Sequence, residues 1–334
     1  MDGDLVGSEY AAHLTDSDLK VLAAAAAAPL PGGSPPGTAA PPADAGPADT
    51  RSGDTALASP VPASPVPAGA DAGWLRRDPR AIPGLLSDPR VFEAVFGRAE
   101  GPVLVLPGQA VPVSPFLTFA VAVHKSAAEL ASMGHVAERT GPRQRVPLFD
   151  APALRDFLGS PARRLFLAEL LASFTRVASG RYRVRGGTGR PRTRRFSELD
   201  PVRLAGLLDG VPDAERPGVY RRLGDVSLFL AGVFPDYATL YGVGPAGVAR
   251  LLRAAQVPAA QYDQLAGAPA IELLEQLGAR WYRAAYGLAP VRTARLDVVA
   301  EVADSFRQAR RVLNHIADRY LFAADQPWFA PPAA

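Results

Sequence analysis

Between Val298 and Phe322, apolar residues recur at Val299, Val302, Phe306, Ala309, Leu313, Ile316 and Tyr320, spaced 3, 4, 3, 4, 3 and 4. Only a helix turns such a spacing into one face, and this stripe predicts about six turns that must dock along a core. The opposite side carries Asp304, Arg307, Gln308, Arg311, His315 and Asp318, and is expected to face solvent. A helix of this kind needs partner helices, and the rest of the chain supplies them.

Pro directly after Ser or Asp marks several helix starts, at Asp88-Pro89, Ser114-Pro115, Ser160-Pro161 and Asp200-Pro201. The first residue of each pair can cap, and proline fits the first helical position, where its missing N–H has no partner to lose. Leu167, Leu170, Phe174 and Val177 continue the third start, with Gly180 as its expected end. Val219, Leu223, Val226, Leu230 and Val233 form a stripe inside one of the most apolar runs, stopped by Pro235, and predict a central buried helix. Phe116, Ala120, Val123, Ala127 and Leu130 form another, whose first half is apolar nearly all round. Ile271–Tyr286 and 246–255 complete the count of roughly eight helices. Strands are expected only as short hairpins at 103–113 and 181–195, with Pro112 confining the first to an edge. The fold class is therefore mainly α, a single multi-helix domain over 74–330 with one or two short β-hairpins.

Ahead of it lie two segments. Residues 1–28 hold a short helical segment with a cluster of capping residues, Thr15-Asp16-Ser17-Asp18, and a thin apolar face suited to docking on a partner protein. Residues 29–73 are rich in Pro, Ala, Gly, Ser and Asp and contain Ala-Ser-Pro-Val-Pro twice, at 58–62 and 63–67. Such a composition cannot build a core and predicts a disordered linker. On this reading, deleting 1–73 should leave the melting temperature nearly unchanged.

The segments Ser114–Val121, Phe166–Phe174 and Leu223–Phe229 resemble an uncharacterised family of helical proteins from high-GC bacteria. The resemblance spans most of 74–325 and brings no activity with it. Bacterial GC bias also fits a chain with only two lysines, Lys20 and Lys125, and one asparagine, Asn314.

There is no cysteine, which excludes disulfides, thiolate metal sites and a catalytic thiol. No apolar run approaches 18 residues, so no membrane span is expected and the cytoplasm is the default compartment. Walker A, H-E-x-x-H, E-x-x-H and G-x-S-x-G patterns are absent, and the four histidines show no metal-binding spacing, so no cofactor or metal is expected.

Three features point towards function. Residues 1–73 hold nine acids and two bases, net −7; the rest holds 24 acids and 34 bases, net +10. Seven of those bases, Arg181, Arg183, Arg185, Arg190, Arg192, Arg194 and Arg195, fall within fifteen residues around Gly186–Gly189. Alternation in a hairpin would put Tyr182 and Val184 on one face and three arginines on the other, a basic ribbon for phosphates. A salt-bridged arginine-rich loop has the same composition. Next, Leu240–Leu252 resembles the helix-hairpin-helix motif. That resemblance implies a turn, here Gly242-Val243-Gly244-Pro245, that presents backbone N–H groups to a phosphate, with Leu251 and Leu252 as the packing face. Val248 stands where the motif has alanine, and an ordinary helical connection reads the same way. Last, Arg310-x4-His315 resembles the R-x4-6-H motif of HEPN-type ribonucleases, which implies phosphate binding by Arg310 and proton transfer by His315. Without catalysis, both would sit on the solvated helix face.

The favoured reading is a non-enzymatic binding or regulatory protein whose first partner is nucleic acid or another polyanion. The alternatives are a HEPN-like ribonuclease and a helical scaffold or accessory subunit that binds another protein.

Overall fold

The computed structural model describes residues 3–28, 72–97, 103–106, 109–141, 144–185, 191–240, 243–322 and 328–329. The expected linker at 29–73 lies almost wholly outside them. In chain order the described elements are α1 (Gly3–His13), α2 (Asp16–Ala27), α3 (Gly73–Arg77), α4 (Ile82–Leu86), α5 (Pro89–Phe96), β1 (Val103–Leu106), β2 (Gln109–Pro112), α6 (Pro115–Leu130), β3 (Val136–Gly141) and β4 (Gln144–Leu148). They continue with α7 (Ala151–Gly159), α8 (Pro161–Ser173), β5 (Ser179–Arg185), β6 (Pro191–Ser197), α9 (Pro201–Ala205), α10 (Arg216–Val233) and α11 (Pro235–Leu240). The last are α12 (Pro245–Ala254), α13 (Ala259–Ala266), α14 (Ala270–Leu288), α15 (Ala294–Asp304) and α16 (Phe306–Ile316), and a π turn over Ala317–Leu321 follows. The mainly helical class stands. The strands form three separate antiparallel hairpins, β1–β2, β3–β4 and β5–β6.

The predicted caps are made. Asp88 accepts from Arg90 N at 2.8 Å, Ser114 from Leu117 N at 3.1 Å, and Asp200 from both Val202 N and Arg203 N at 3.0 Å. Each satisfies amides that the first helical turn leaves without partners. α8 ends at Ser173, short of the expected Gly180. That glycine lies in β5 instead, opposite Phe196, whose ring would be 2.8 Å from any Cβ there. Pro235 both ends α10 and opens α11 as its first residue.

α10 is the axis, buried at every position from Leu223 to Val233. α14 packs along it so closely that a Cβ at Gly224 would run into the Tyr282 ring. α16 lies against both.

The predicted six-turn helix is two helices. The backbone breaks at Ser305 (φ −115°, ψ 32°), whose hydroxyl donates to the Glu301 carbonyl four residues back at 2.7 Å. Such back-bonding competes with the helical ladder and bends it. The apolar stripe survives the break, with Val299, Val302, Phe306, Ala309, Leu313, Ile316 and Tyr320 all buried. The expected solvent face survives only in part: Asp304 and Arg307 are exposed and Gln308, Arg311 and Asp318 half-buried, but Arg310 and His315 are 3% and 7% exposed, and Val312–Ala317 are buried without interruption. The unpredicted β3–β4 hairpin covers that side.

The N-terminal segment is part of this body. Val6, Tyr10, Leu14, Leu19, Val21 and Leu22 are buried in a second apolar cluster with α4, α5 and one side of α6, while the other side of α6 faces the main core. Burial on two sides is why the first half of α6 is apolar all round. Thr15 and Asp18 form a capping box, and Asp18 Oδ1 also accepts from Ser114 N at 2.8 Å, tying α2 to the start of α6. The expectation that 1–73 can be deleted harmlessly therefore fails for 1–28. Arg90 Nη1 donates to the Ala28 carbonyl at 2.9 Å, and α3, which begins at Gly73, packs on α2. Residues 29–71 thus leave and rejoin one and the same packed unit.

Candidate functional site

In β5–β6 the register pairs Arg181 with Arg195, Tyr182 with Arg194, Arg183 with Thr193, Val184 with Arg192 and Arg185 with Pro191. Directly paired positions share a face. Positions 181, 183, 185 and 195 therefore lie on one face, and positions 192 and 194 join Tyr182 and Val184 on the other. Arginine positions occupy both faces, not one as alternation along β5 alone implied. Arg181 and Arg195 are exposed and have no carboxylate partner among the described residues. Arg190 lies outside those residues. Much of the helical body differs: Arg163 holds Glu301 at 3.0 Å, Arg222 holds Glu198 at 3.1 Å, Arg283 holds Asp304 at 2.9 Å and Arg319 holds Glu129 at 2.8 Å.

The foot of this hairpin runs through Ser197 and Leu199 into α9, and α9 packs on α12. Short α11 leads into the turn before α12, and Leu251 and Leu252 are buried as a packing face. Gly242 is outside the described residues. Gly244 is exposed and precedes α12 without any side-chain cap. Close approach falls at Gly247, where a Cβ would meet the Val243 side chain and lie 3.2 Å from Val202, while Val248 is half-buried.

Two cavities flank α9. One, of about 650 Å³, lies between the hairpin foot, α9, the start of α12 and the start of α14. The other, about 420 Å³, is lined by Arg216, Arg250, Arg253, Asp209, Tyr220 and Gln256. Gln256 adopts φ 50°, the left-handed region that side chains other than glycine rarely occupy, and its amide reaches the Tyr220 hydroxyl at 3.5 Å.

Arg310 and His315 sit elsewhere. The Arg310 guanidinium is held by Glu275 from α14 and Glu138 from β3. Glu138 also takes Arg311 Nε at 3.1 Å, Glu275 takes Arg307 Nε at 3.1 Å, and Arg311 reaches Asp150. Asn314 completes the lock on β3, accepting from Arg139 N at 2.8 Å and donating to Arg139 O at 3.2 Å. Arg310 is thus neutralised and closed off from any phosphate. Burial, reinforced by the nearby Arg319 charge, holds the His315 pKa below its usual value. The geometry gives the ribonuclease reading no support: a phosphate clamp needs a free cation, and proton transfer needs an accessible imidazole.

A polar junction went unnoticed in the sequence. His124 on α6, 1% exposed, meets Tyr10 Oη at Nε2 (3.0 Å) and Ser87 Oγ at Nδ1 (2.9 Å), with Arg164 at 3.5 Å. It fastens α1 to the turn after α4 and to α8. The Ser–His contact joins packed elements, with His124 1% exposed. Burial, then the Arg164 charge, pushes the His124 pKa well below 6.5. The native state keeps both His124 and His315 neutral, whereas the unfolded chain protonates them. Their contribution is complete above pH 6.5 and is lost as pH falls towards the depressed native values. Stability is expected to drop at up to about 1.4 kcal/mol per pH unit for each histidine. Urea midpoints between pH 7.5 and 5 measure the drop, and His124→Gln should flatten the profile; an unchanged slope would remove His124 from the account.

Among the described residues there is no metal-binding cluster of acids and histidines, and no helix is long and apolar enough to cross a membrane. The chain matches no known family, no curated protein and no solved structure.

Proposed function

We propose that this protein binds nucleic acid or a similar polyanion through the β5–β6 hairpin and the adjoining surface of α12, without catalysis. The observation that carries this reading is the pair Arg181 and Arg195, opposite each other in register, exposed, and without carboxylate partners among the described residues. An unneutralised arginine retains its full affinity for phosphate, whereas one already paired must first give up its partner. α9 packs on both the hairpin foot and α12, so the helix that carries Arg250 and Arg253 is one element away from the hairpin. Readout would be of backbone charge, since nothing in the arrangement favours a particular base.

Binding should be electrostatic, falling steeply with salt as phosphates release counterions. Arg181→Ala and Arg195→Ala should each weaken binding to all sequences alike and lower the salt slope by about one unit. Both residues are exposed, so the melting temperature should not move. Fluorescence anisotropy of mixed-sequence RNA and DNA at several salt concentrations measures this. The acids that could compete with phosphate are fewer than the net charge of 1–73 suggests, because Asp16 and Asp18 are engaged with Arg76 and with caps. Residues 29–71 carry only Asp44, Asp49, Asp54 and Asp71 against Arg51. Replacing that stretch with a neutral linker should tighten binding slightly. Absence of binding at low salt would overturn the reading in favour of the protein scaffold. The exposed apolar residues Val146 (46%) in β4 and Phe149 (82%) just after it would then be the surface to test first.

A further inference from the structure

We infer that the 650 Å³ cavity beside α9 is a binding site for a small, uncharged molecule with an apolar body. Its volume falls within the range of about 300–1,000 Å³ typical of small-molecule sites. Its floor reaches the main core, for Leu230, Leu273 and Leu274 line it and each is at most 5% exposed. Val202, Val243 and Val248 add aliphatic wall.

Small side chains keep the space open. Ala266, Ala268 and Ala270 line it from the α13–α14 connection, and Gly244 and Gly247 line it from the start of α12. Gly247 is also required by the close approach of Val243, whereas larger residues at the alanine positions would enter the space, and the core side chains below do not rise to occupy it.

The charge of the occupant follows from the only two charged residues of the described lining. Asp200 accepts from Val202 N and Arg203 N to cap α9, and takes Arg203 Nε at 2.9 Å. The two charges offset each other, so the described lining carries no net charge to select an anion or a cation. The floor of Leu230, Leu273 and Leu274 is aliphatic, while Ser197, Tyr237, Asp200 and Arg203 make other parts of the lining polar, so an apolar body that displaces water from the floor gains the usual hydrophobic stabilisation. A protein segment is the poorer fit, because the lining converges from the hairpin foot and from α9, α10, α11, α12, α13 and α14 and does not run as a groove along one helix pair.

The inference is independent of polyanion binding, since an uncharged probe has no affinity for the arginine hairpin. The experiment is a titration of the full chain with N-phenyl-1-naphthylamine, a neutral apolar fluorophore. The expected result is saturable binding of one probe per chain with blue-shifted emission. Ala266→Trp and Ala268→Trp, which place an indole in the space, should each weaken it about ten-fold or more. Ala266 is exposed and Ala268 half-exposed, so neither change disturbs the core, and circular dichroism melts should stay put. Phe149→Ser should leave binding unchanged. Absence of saturable binding, full affinity in both tryptophan variants, or loss of binding in Phe149→Ser would each overturn the inference.

Discussion

Arg310→Ala is expected to cost about 3–5 kcal/mol of folding stability, the range for breaking a buried ion pair from one side. The cost arises less from the lost attraction than from what stays behind. Glu275 and Glu138 are 7% exposed, and Arg310 answers both. Without it, two carboxylates remain in the interior with only the outer arginines Arg307 and Arg311 to balance them. Neutralising the acids as well, in Arg310→Ala with Glu138→Gln and Glu275→Gln, should recover more than half of the loss, because no unpaired charge is then buried. Urea denaturation at neutral pH measures both variants. A loss below about 1 kcal/mol for the single variant would place Arg310 with ordinary surface pairs. The same variants bear on function: nucleic-acid binding by the folded fraction should be unaffected, since Arg310 is closed off from phosphate.

Deleting residues 1–28 should abolish cooperative folding of the segment from α3 to α6, while replacing 30–70 with a short Gly/Ser linker should leave the melting temperature within a few degrees. The contrast follows from burial. Tyr10, Leu19, Val21 and Leu22 are at most 1% exposed, and Val6 and Leu14 nearly as deep. Each fully buried side chain of this size stabilises by about 1.5–3 kcal/mol. Six of them together rival the whole stability of a typical domain, about 5–15 kcal/mol. Their loss would also open the far side of α6, exposing Phe116, Leu117 and Val121. Replacing 30–70 removes none of these contacts, and both junctions, at Ala28 and Gly73, stay with the packed unit. Thermal melts of the two variants decide the matter, and a 1–28 deletion that melts like the intact chain would show that α1 and α2 are a dispensable cover.

Two kinds of statement about this chain were legible from residues in line. Local chemistry set the helix starts: Asp88, Ser114, Asp200 and their prolines act within three residues of themselves, so no distant contact was needed to read them. Periodicity set which residues go inward, and the stripe from Val299 to Tyr320 is buried in full even though its helix breaks at Ser305. A one-dimensional pattern has no means of showing what covers the other side. Whether Arg310 and Arg311 face water depends on a hairpin 172 residues from Arg310, whose strands Val136–Gly141 and Gln144–Leu148 have no apolar alternation and contain Pro147. That hairpin is held by Glu138 and by Asn314, through contacts that exist only after the chain has closed on itself. The N-terminal segment shows the same limit. Its thin apolar face announced a docking helix but not the docking surface, which turned out to be the chain's own α4, α5 and α6. The candidate sites divide likewise. The arginine cluster at 181–195 is visible in composition, but the register that puts arginine on both faces comes from the strand pairing. The cavity beside α9 comes from the meeting of six separate helices and the hairpin foot, whose small and aliphatic residues carry no signal individually.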